Sequence, residues 1–444
     1  MADGTPAESE PLDPLAPFRQ VFALPTDLFV LSAAMFAFSL GFQMTGRYVP
    51  QYLAVLGAGS VTIGLFGSLG NLISAVFPYP GGALSDRIGS RLALTLFGVA
   101  STAGFLVWWA AGAFADVSVV AEVAGVTLST NAAIVSLFLG LLLSQGWKSF
   151  GLGATFAVVK QSVEPDRLAA GFAATETFRR TAFLLGPLLA AAILTVFAFR
   201  EGFRVILLVA AGVGLLATVA QHLLYDASND SLGDTFDGLA TIRADLASLP
   251  APLRPLLVGD TLVRFANGMV YVFFVRVVVD LRAVGATLPV VGRLSPEAFF
   301  GVLLAIEMAV ALVTMAPVAR LAESVGLVPV VAGGFAVYAV FPALIVAAPA
   351  TPLVYAVLFA VSGLRFAGLP AHKALIVGPA EREAGGRVTG SYYLVRNAVT
   401  IPSAVVGGWL YGADPRAAFG LATVVGLVGT GYFLVRGEEF AAYA

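Results

Sequence analysis

The sequence predicts an all-α polytopic membrane protein, with twelve transmembrane helices in two pseudo-symmetric six-helix bundles. Three observations lead there. Of 444 residues, 59% are hydrophobic and 12% charged. That is too little polar surface for a water-soluble fold of this size, so the bilayer must be the solvent. Apolar runs long enough to cross a core of ~30 Å occur twelve times. Charged residues inside those runs also recur at nearly matched positions in the two halves.

The runs fall at 27–53, 60–84, 91–114, 131–161, 168–199 and 203–225. They continue at 253–281, 296–321, 327–348, 351–378, 386–411 and 416–436. This divides the chain into a tail (1–26), a first bundle (27–225), a linker (226–252), a second bundle (253–436) and a short end (437–444). The tail carries Asp3, Glu8, Glu10 and Asp13 with several prolines and no basic n-region, so it reads as a disordered cytosolic segment and not as a signal peptide. In the linker, Phe236, Leu239, Ile242, Leu246 and Leu249 stand at roughly helical spacing. An amphipathic helix lying on the membrane face is expected there.

Composition also excludes chemistry. There is no cysteine, so disulfides and cysteine-based metal sites are ruled out. The two histidines, His222 and His372, lack metal-ligand neighbours. No cofactor is expected. A net charge of −2 argues against nucleic acid. No nucleophile–base pair or phosphate-binding loop suggests an enzyme.

Sidedness follows from basic residues. With the N-terminus in the cytosol, twelve of the 25 lie in inner segments and seven in outer ones. Both termini are then expected on the cytoplasmic face of the plasma membrane. The halves align through Gly41 with Gly268, Asp86 with Glu323, Lys148 with Arg365, and Arg179 with Arg396. Two bundles related in this way form a parallel repeat.

Residues 82–91, Gly-Ala-Leu-Ser-Asp-Arg-Ile-Gly-Ser-Arg, are expected to form a tight polar loop between the second and third runs. Gly82 and Gly89 permit close contact and a turn, and Asp86 suits a helix start. Arg87 and Arg91 hold the loop on the inner face. Here the chain resembles the major facilitator superfamily of secondary transporters. Gly82, Leu84, Asp86, Arg87, Gly89 and Arg91 match its signature loop between helices 2 and 3. The second copy, 319–326, keeps an acid and the last glycine but loses both loop cations. The resemblance implies alternating access around a midplane site. Gly186-Pro187 resembles the drug:proton antiporter branch, although alanines replace that branch's glycines.

Setting aside the inner and outer segments and the helix ends leaves nine charged residues inside the helices, six cations and three carboxylates, and each costs about 2.5–3.5 kcal/mol at a helix centre. Lys148 and Arg365, with Gln43 nearby on the first run, are read as lining a substrate cavity. The bland alternative is that they snorkel or pair within their own half. Glu176, Arg179 and Arg180 share a helix face and, with Arg396, read equally as an inner gate or as substrate contacts. Asp260 and Arg264 stand four apart and pair, mostly as structure, with a share in proton relay. Glu307 has only apolar neighbours one turn away on its own helix. An unpaired carboxyl in such surroundings favours its protonated form, so Glu307 is expected to load and release a coupling proton.

The expected function is proton-coupled movement of a small organic solute by a monomer in the lipid bilayer, leaning to efflux of an amphiphile. An organic-anion or phosphate-ester carrier is the alternative. A tight pocket with paired cations would point to the anion carrier, and a broad aromatic cavity to drug efflux. A non-transporting receptor or scaffold with a transporter fold is the alternative of another class.

Overall fold

The computed structural model describes residues 26–123, 126–150, 168–226, 250–289, 292–378 and 385–439. The expected tail and the amphipathic linker helix lie outside them. The first half runs α1 (Thr26–Thr45), α2 (Val49–Val55), α3 (Ser60–Val76), α4 (Pro78–Ile88), α5 (Ser90–Ala111), α6 (Ala132–Gln145), α7 (Leu168–Val196) and α8 (Phe199–Leu224). The second half runs α9 (Leu253–Val270), α10 (Pro296–Val325), α11 (Leu327–Ala347), α12 (Pro352–Ala367), α13 (Leu369–Val377), α14 (Gly385–Thr400), α15 (Ser403–Ala413) and α16 (Pro415–Arg436).

Among the described residues, ten helical segments are long and apolar enough to cross a bilayer. The expected second and eleventh runs are not among the ten, because each is split into two shorter helices. Pro78 and Pro402 stand at the two breaks, where proline removes a helical N–H and crowds the preceding turn. Pro187, Pro317 and Pro342, in contrast, sit inside continuous helices. Apolar side chains cover the outside, as with Val313 at 74% exposed and Leu353 at 75%. That surface is stable against lipid tails and would be an aggregation hazard in water.

The all-α expectation is corrected at two loops. Residues 118–123 and 126–131 pair antiparallel as β1 and β2, and 286–288 pairs with 292–294 as β3 and β4. Val-Val-Ala-Glu-Val and Val-Thr-Leu-Ser-Thr are rich in β-branched residues, which suit a pleated ribbon.

The starts and ends of the helices define two faces. On the terminal side, the Asp226 backbone N–H donates to Asp27 Oδ1 (2.9 Å) and that of Val328 to Glu439 Oε1 (2.6 Å). On the opposite, distal side, helix starts are capped. Asn131 Oδ1 accepts from Ile134 N, Ser295 Oγ from Ala298 N, and Asp414 Oδ1 from Arg416 N; each removes one orphan donor.

The two halves meet on the distal side. There α3 packs on α15, and α7 on α10. Gly64 lies so close to Ala404 that a Cβ would collide with its carbonyl. Tyr48 Oη donates to the Glu297 carbonyl (3.1 Å) and Gln51 Nε2 to Asp280 Oδ1 (3.1 Å).

The expected loop at 82–91 is mostly helix. α4 continues to Ile88, and Gly89 alone makes the turn with φ +85°, a conformation glycine adopts without strain. Arg91 Nε donates to the His222 carbonyl (2.6 Å), and Ser90 bonds to Tyr225 (2.8 Å). The contacts tie the start of α5 to the end of α8.

Candidate functional site

Helical spacing builds the site. In α9, Asp260, Arg264 and Asn267 fall at i, i+4 and i+7, so they share one face. In α14, Tyr392 and Arg396 are likewise one turn apart. Where these faces converge with α3, α11 and α12 there is a cavity of about 320 Å³. Its polar lining includes Arg264, Arg365, Arg396, Asn71, Asn267 and Asn397.

Two buried carboxylates organise the arginines. Asp260 is fully buried. Its Oδ1 accepts from Arg264 Nε (3.2 Å), and its Oδ2 accepts from Arg396 Nη1 (3.1 Å) and Tyr392 Oη (3.0 Å). His372 Nε2 lies 3.2 Å from the same oxygen. Arg264 also donates to Tyr338 Oη (3.0 Å), and Arg396 reaches Asn397 Oδ1 at 3.0 and 3.2 Å.

Glu307 in α10 is 1% exposed. Its Oε1 accepts from Arg365 Nη2 (2.7 Å) and Ser362 Oγ (2.5 Å), both on α12. Arg47, from the other half, brings Nη2 to 3.6 Å from Oε2 and stacks 3.8 Å over the Tyr271 ring. Tyr338 joins the two networks, since the Arg264 and Arg365 guanidinium carbons each lie 4.9 Å from its ring centre. Aromatic faces give buried guanidinium groups favourable contact in place of water.

The charges do not balance. Among the described residues, the ion pairs of Arg47, Arg264, Arg365 and Arg396 run to Asp260 and Glu307, four arginines to two carboxylates. Arg47 Nη1 and Arg365 Nε are buried without an acceptor. Buried donors in folded proteins are nearly always satisfied; of these two residues Arg365 lines the cavity and Arg47 does not.

No protein-family model matches the chain. It is 20% identical over 412 residues to the uncharacterized MFS-type transporter MJ1317 of Methanocaldococcus jannaschii, covering 91% of this chain and 93% of that one. The chain is an MFS-type transporter homologue. Solved structures share its fold at low identity. The nucleoside transporter NupG superposes with a TM-score of 0.65 at 13% identity, covering 93% of this chain and 97% of that one. A POT family transporter in complex with 5-aminolevulinic acid gives 0.67 at 14%, covering 94% and 98%. A bacterial homologue of the iron transporter ferroportin, in an inward-facing state, gives 0.70 at 12%, covering 93% and 98%.

In this transporter homologue some expected site residues come together and others do not. Asp260 and Arg264 pair as their spacing predicts. Arg365 lines the cavity. The reading of Glu307 as an unpaired carboxyl is corrected. Its own helix supplies no cation, but α12 packs against α10 and delivers Arg365. The grouping of Arg396 with Arg179 and Arg180 is corrected as well. Arg396 belongs to the Asp260 network inside the second half, whereas Arg180 Nη1 lies 3.1 Å from Met315 Sδ on α10. Arg179 stands 5.4 Å from the Phe183 ring centre. Lys148 sits in a π-helical turn, Gly146–Phe150, with Nζ 5.8 Å from the centre of the Phe42 ring. Neither Lys148 nor Gln43 lines the cavity described above. The side chains of Glu176 and Asp86 lie outside the described residues.

Sequence reasoning missed His372, Tyr338 and Tyr392 as members of the site. A signal existed for His372, which stands seven residues after Arg365 and so lies near the same face of that span.

Proposed function

We propose that this membrane transporter of MFS type carries a small organic anion by alternating access, in a twelve-span, two-bundle, monomeric form. In this reading both termini face the cytosol at the plasma membrane. The observation that carries it is the cavity lined by Arg264, Arg365 and Arg396, with no carboxylate in its lining. A cationic amphiphile would enter a field of its own sign, and the polar lining offers it no unpaired acid. That favours the anion carrier over drug efflux.

The same geometry supports proton coupling. Asp260 and Glu307 each hold arginines that an entering anion needs. A proton on either carboxylate weakens its hold and releases an N–H fork for the solute. Anion and proton then bind together and leave together, so they move in the same direction. Closure on the distal side, through Gly64–Ala404 and Tyr48–Glu297, supports access from the terminal side in this state.

The test is uptake by proteoliposomes under an inward proton gradient. Carboxylates and phosphate esters should accumulate, and Arg396→Gln should abolish this. Uptake confined to cationic amphiphiles would overturn the anion reading. Movement of no solute at all would favour a scaffold.

A further inference from the structure

A second basic pocket lies at the distal end of the second half, apart from the central cavity. It occupies about 440 Å³ between the end of α11, the start of α16 and the segment following α9. Arg282 and Arg416 are its charged lining residues, beside Val346, Phe419 and small side chains, and no carboxylate lines it.

Arg282 is only partly satisfied. One Nη2 hydrogen goes to the Ala348 carbonyl at the end of α11, while its Nε is buried without an acceptor. The Arg416 side chain is exposed and has no hydrogen-bond or ion-pair partner among the described residues. It stands in the first turn of α16, where the helix end carries partial positive charge that the Asp414 cap offsets only in part. An anion between the two guanidinium groups relieves both problems.

The level of the pocket identifies the anion's source. It lies where one span ends and another begins, which is headgroup depth in a bilayer. Leu344, Leu421 and Val424, on the same two helices, are exposed apolar residues facing lipid.

We infer that this pocket binds the phosphodiester headgroup of an anionic phospholipid in the distal leaflet, its acyl chains lying along α11 and α16. Arginine suits phosphate because its planar fork donates two parallel hydrogen bonds. A zwitterionic headgroup would bring its own ammonium beside two arginines and is disfavoured.

The test uses the full-length protein in detergent, titrated with phosphatidylglycerol, phosphatidylcholine or inorganic phosphate. Thermal unfolding and native mass spectrometry read binding. Phosphatidylglycerol should raise the unfolding temperature, and the other two should not. Arg416→Gln should weaken phosphatidylglycerol binding about five-fold, the effect of one basic group at a membrane surface. Arg436→Gln, on the terminal side, should leave it unchanged. Arg282→Gln should also weaken it, and if that variant fails to fold the exposed Arg416 variant still decides. Equal shifts from both lipids, full affinity in Arg416→Gln, or the same shift from inorganic phosphate alone would each overturn the inference.

Discussion

The Asp260 and Glu307 networks use the same chemistry with different reach. Each is a buried carboxylate held by arginine. The described partners of Asp260, namely Arg264, His372, Tyr392 and Arg396, all come from the second half. Glu307 binds Arg365 and Ser362 within that half and faces Arg47 from the first. A network confined to one bundle keeps its geometry as the bundles rock. A network that spans both must change as they rock. In the proposed mechanism Asp260 would preorganise the solute site, and Glu307 would link its charge state to the movement.

The largest expected effect is on folding. Asp260→Ala leaves Arg264 and Arg396 facing each other in a buried site, and breaking a buried pair costs about 3–5 kcal/mol. Thermal unfolding in detergent should show a large fall in midpoint, or loss of folded protein. A near-normal midpoint would mean that water or another anion holds the arginines.

The next effect separates the networks. Arg396→Gln should abolish anion binding in a ligand-induced thermal-shift screen while leaving the Arg47–Glu307 contact in place. Retained binding would move the solute site elsewhere, with Lys148 and Arg180 as the remaining cations to test.

Arg47→Gln should change conformation more than stability. Glu307 keeps Arg365 and Ser362, so the loss should be smaller than the roughly 3–5 kcal/mol of breaking a buried pair outright. The chain has no cysteine, so one introduced by Ser60→Cys on the distal side is a clean reporter. Its labelling should rise in the Arg47→Gln background if that pair helps to hold the distal side closed. Unchanged labelling would assign closure to the glycine-rich contact of α3 with α15.

The smallest effect is expected at Arg91→Gln. Its bond to the His222 carbonyl is peripheral and exposed, so stability should change by less than about 1 kcal/mol. Transport should persist if the loop is a tie between α5 and α8. Lost transport with intact folding would assign the loop a gating role.

The comparison also marks how far the sequence could be read. The apolar runs and the charges inside them are visible because charge in a bilayer is expensive enough to be conspicuous. The Asp260–Arg264 pair is visible because i and i+4 share a helix face. The Glu307–Arg365 pair spans 58 residues and depends on how α12 packs against α10, which local spacing does not encode. His372 was set aside for lacking ligand neighbours in sequence, yet folding supplies Asp260. The β1–β2 hairpin has a local signal in its β-branched residues, but it lies between two membrane runs, where hydropathy alone marks a connection. The helical character of 82–88 was hidden by its glycines and charges, which resemble a turn.

The central claim is that Glu307 couples proton binding to movement while the Asp260 network holds the anion. Glu307→Gln keeps the shape and a hydrogen bond to its neighbours but removes the charge. Proteoliposomes carrying this variant should still exchange internal for external anion when no proton gradient is applied. They should lose accumulation driven by an inward proton gradient. Gradient-driven accumulation equal to that of the unaltered protein would contradict the claim.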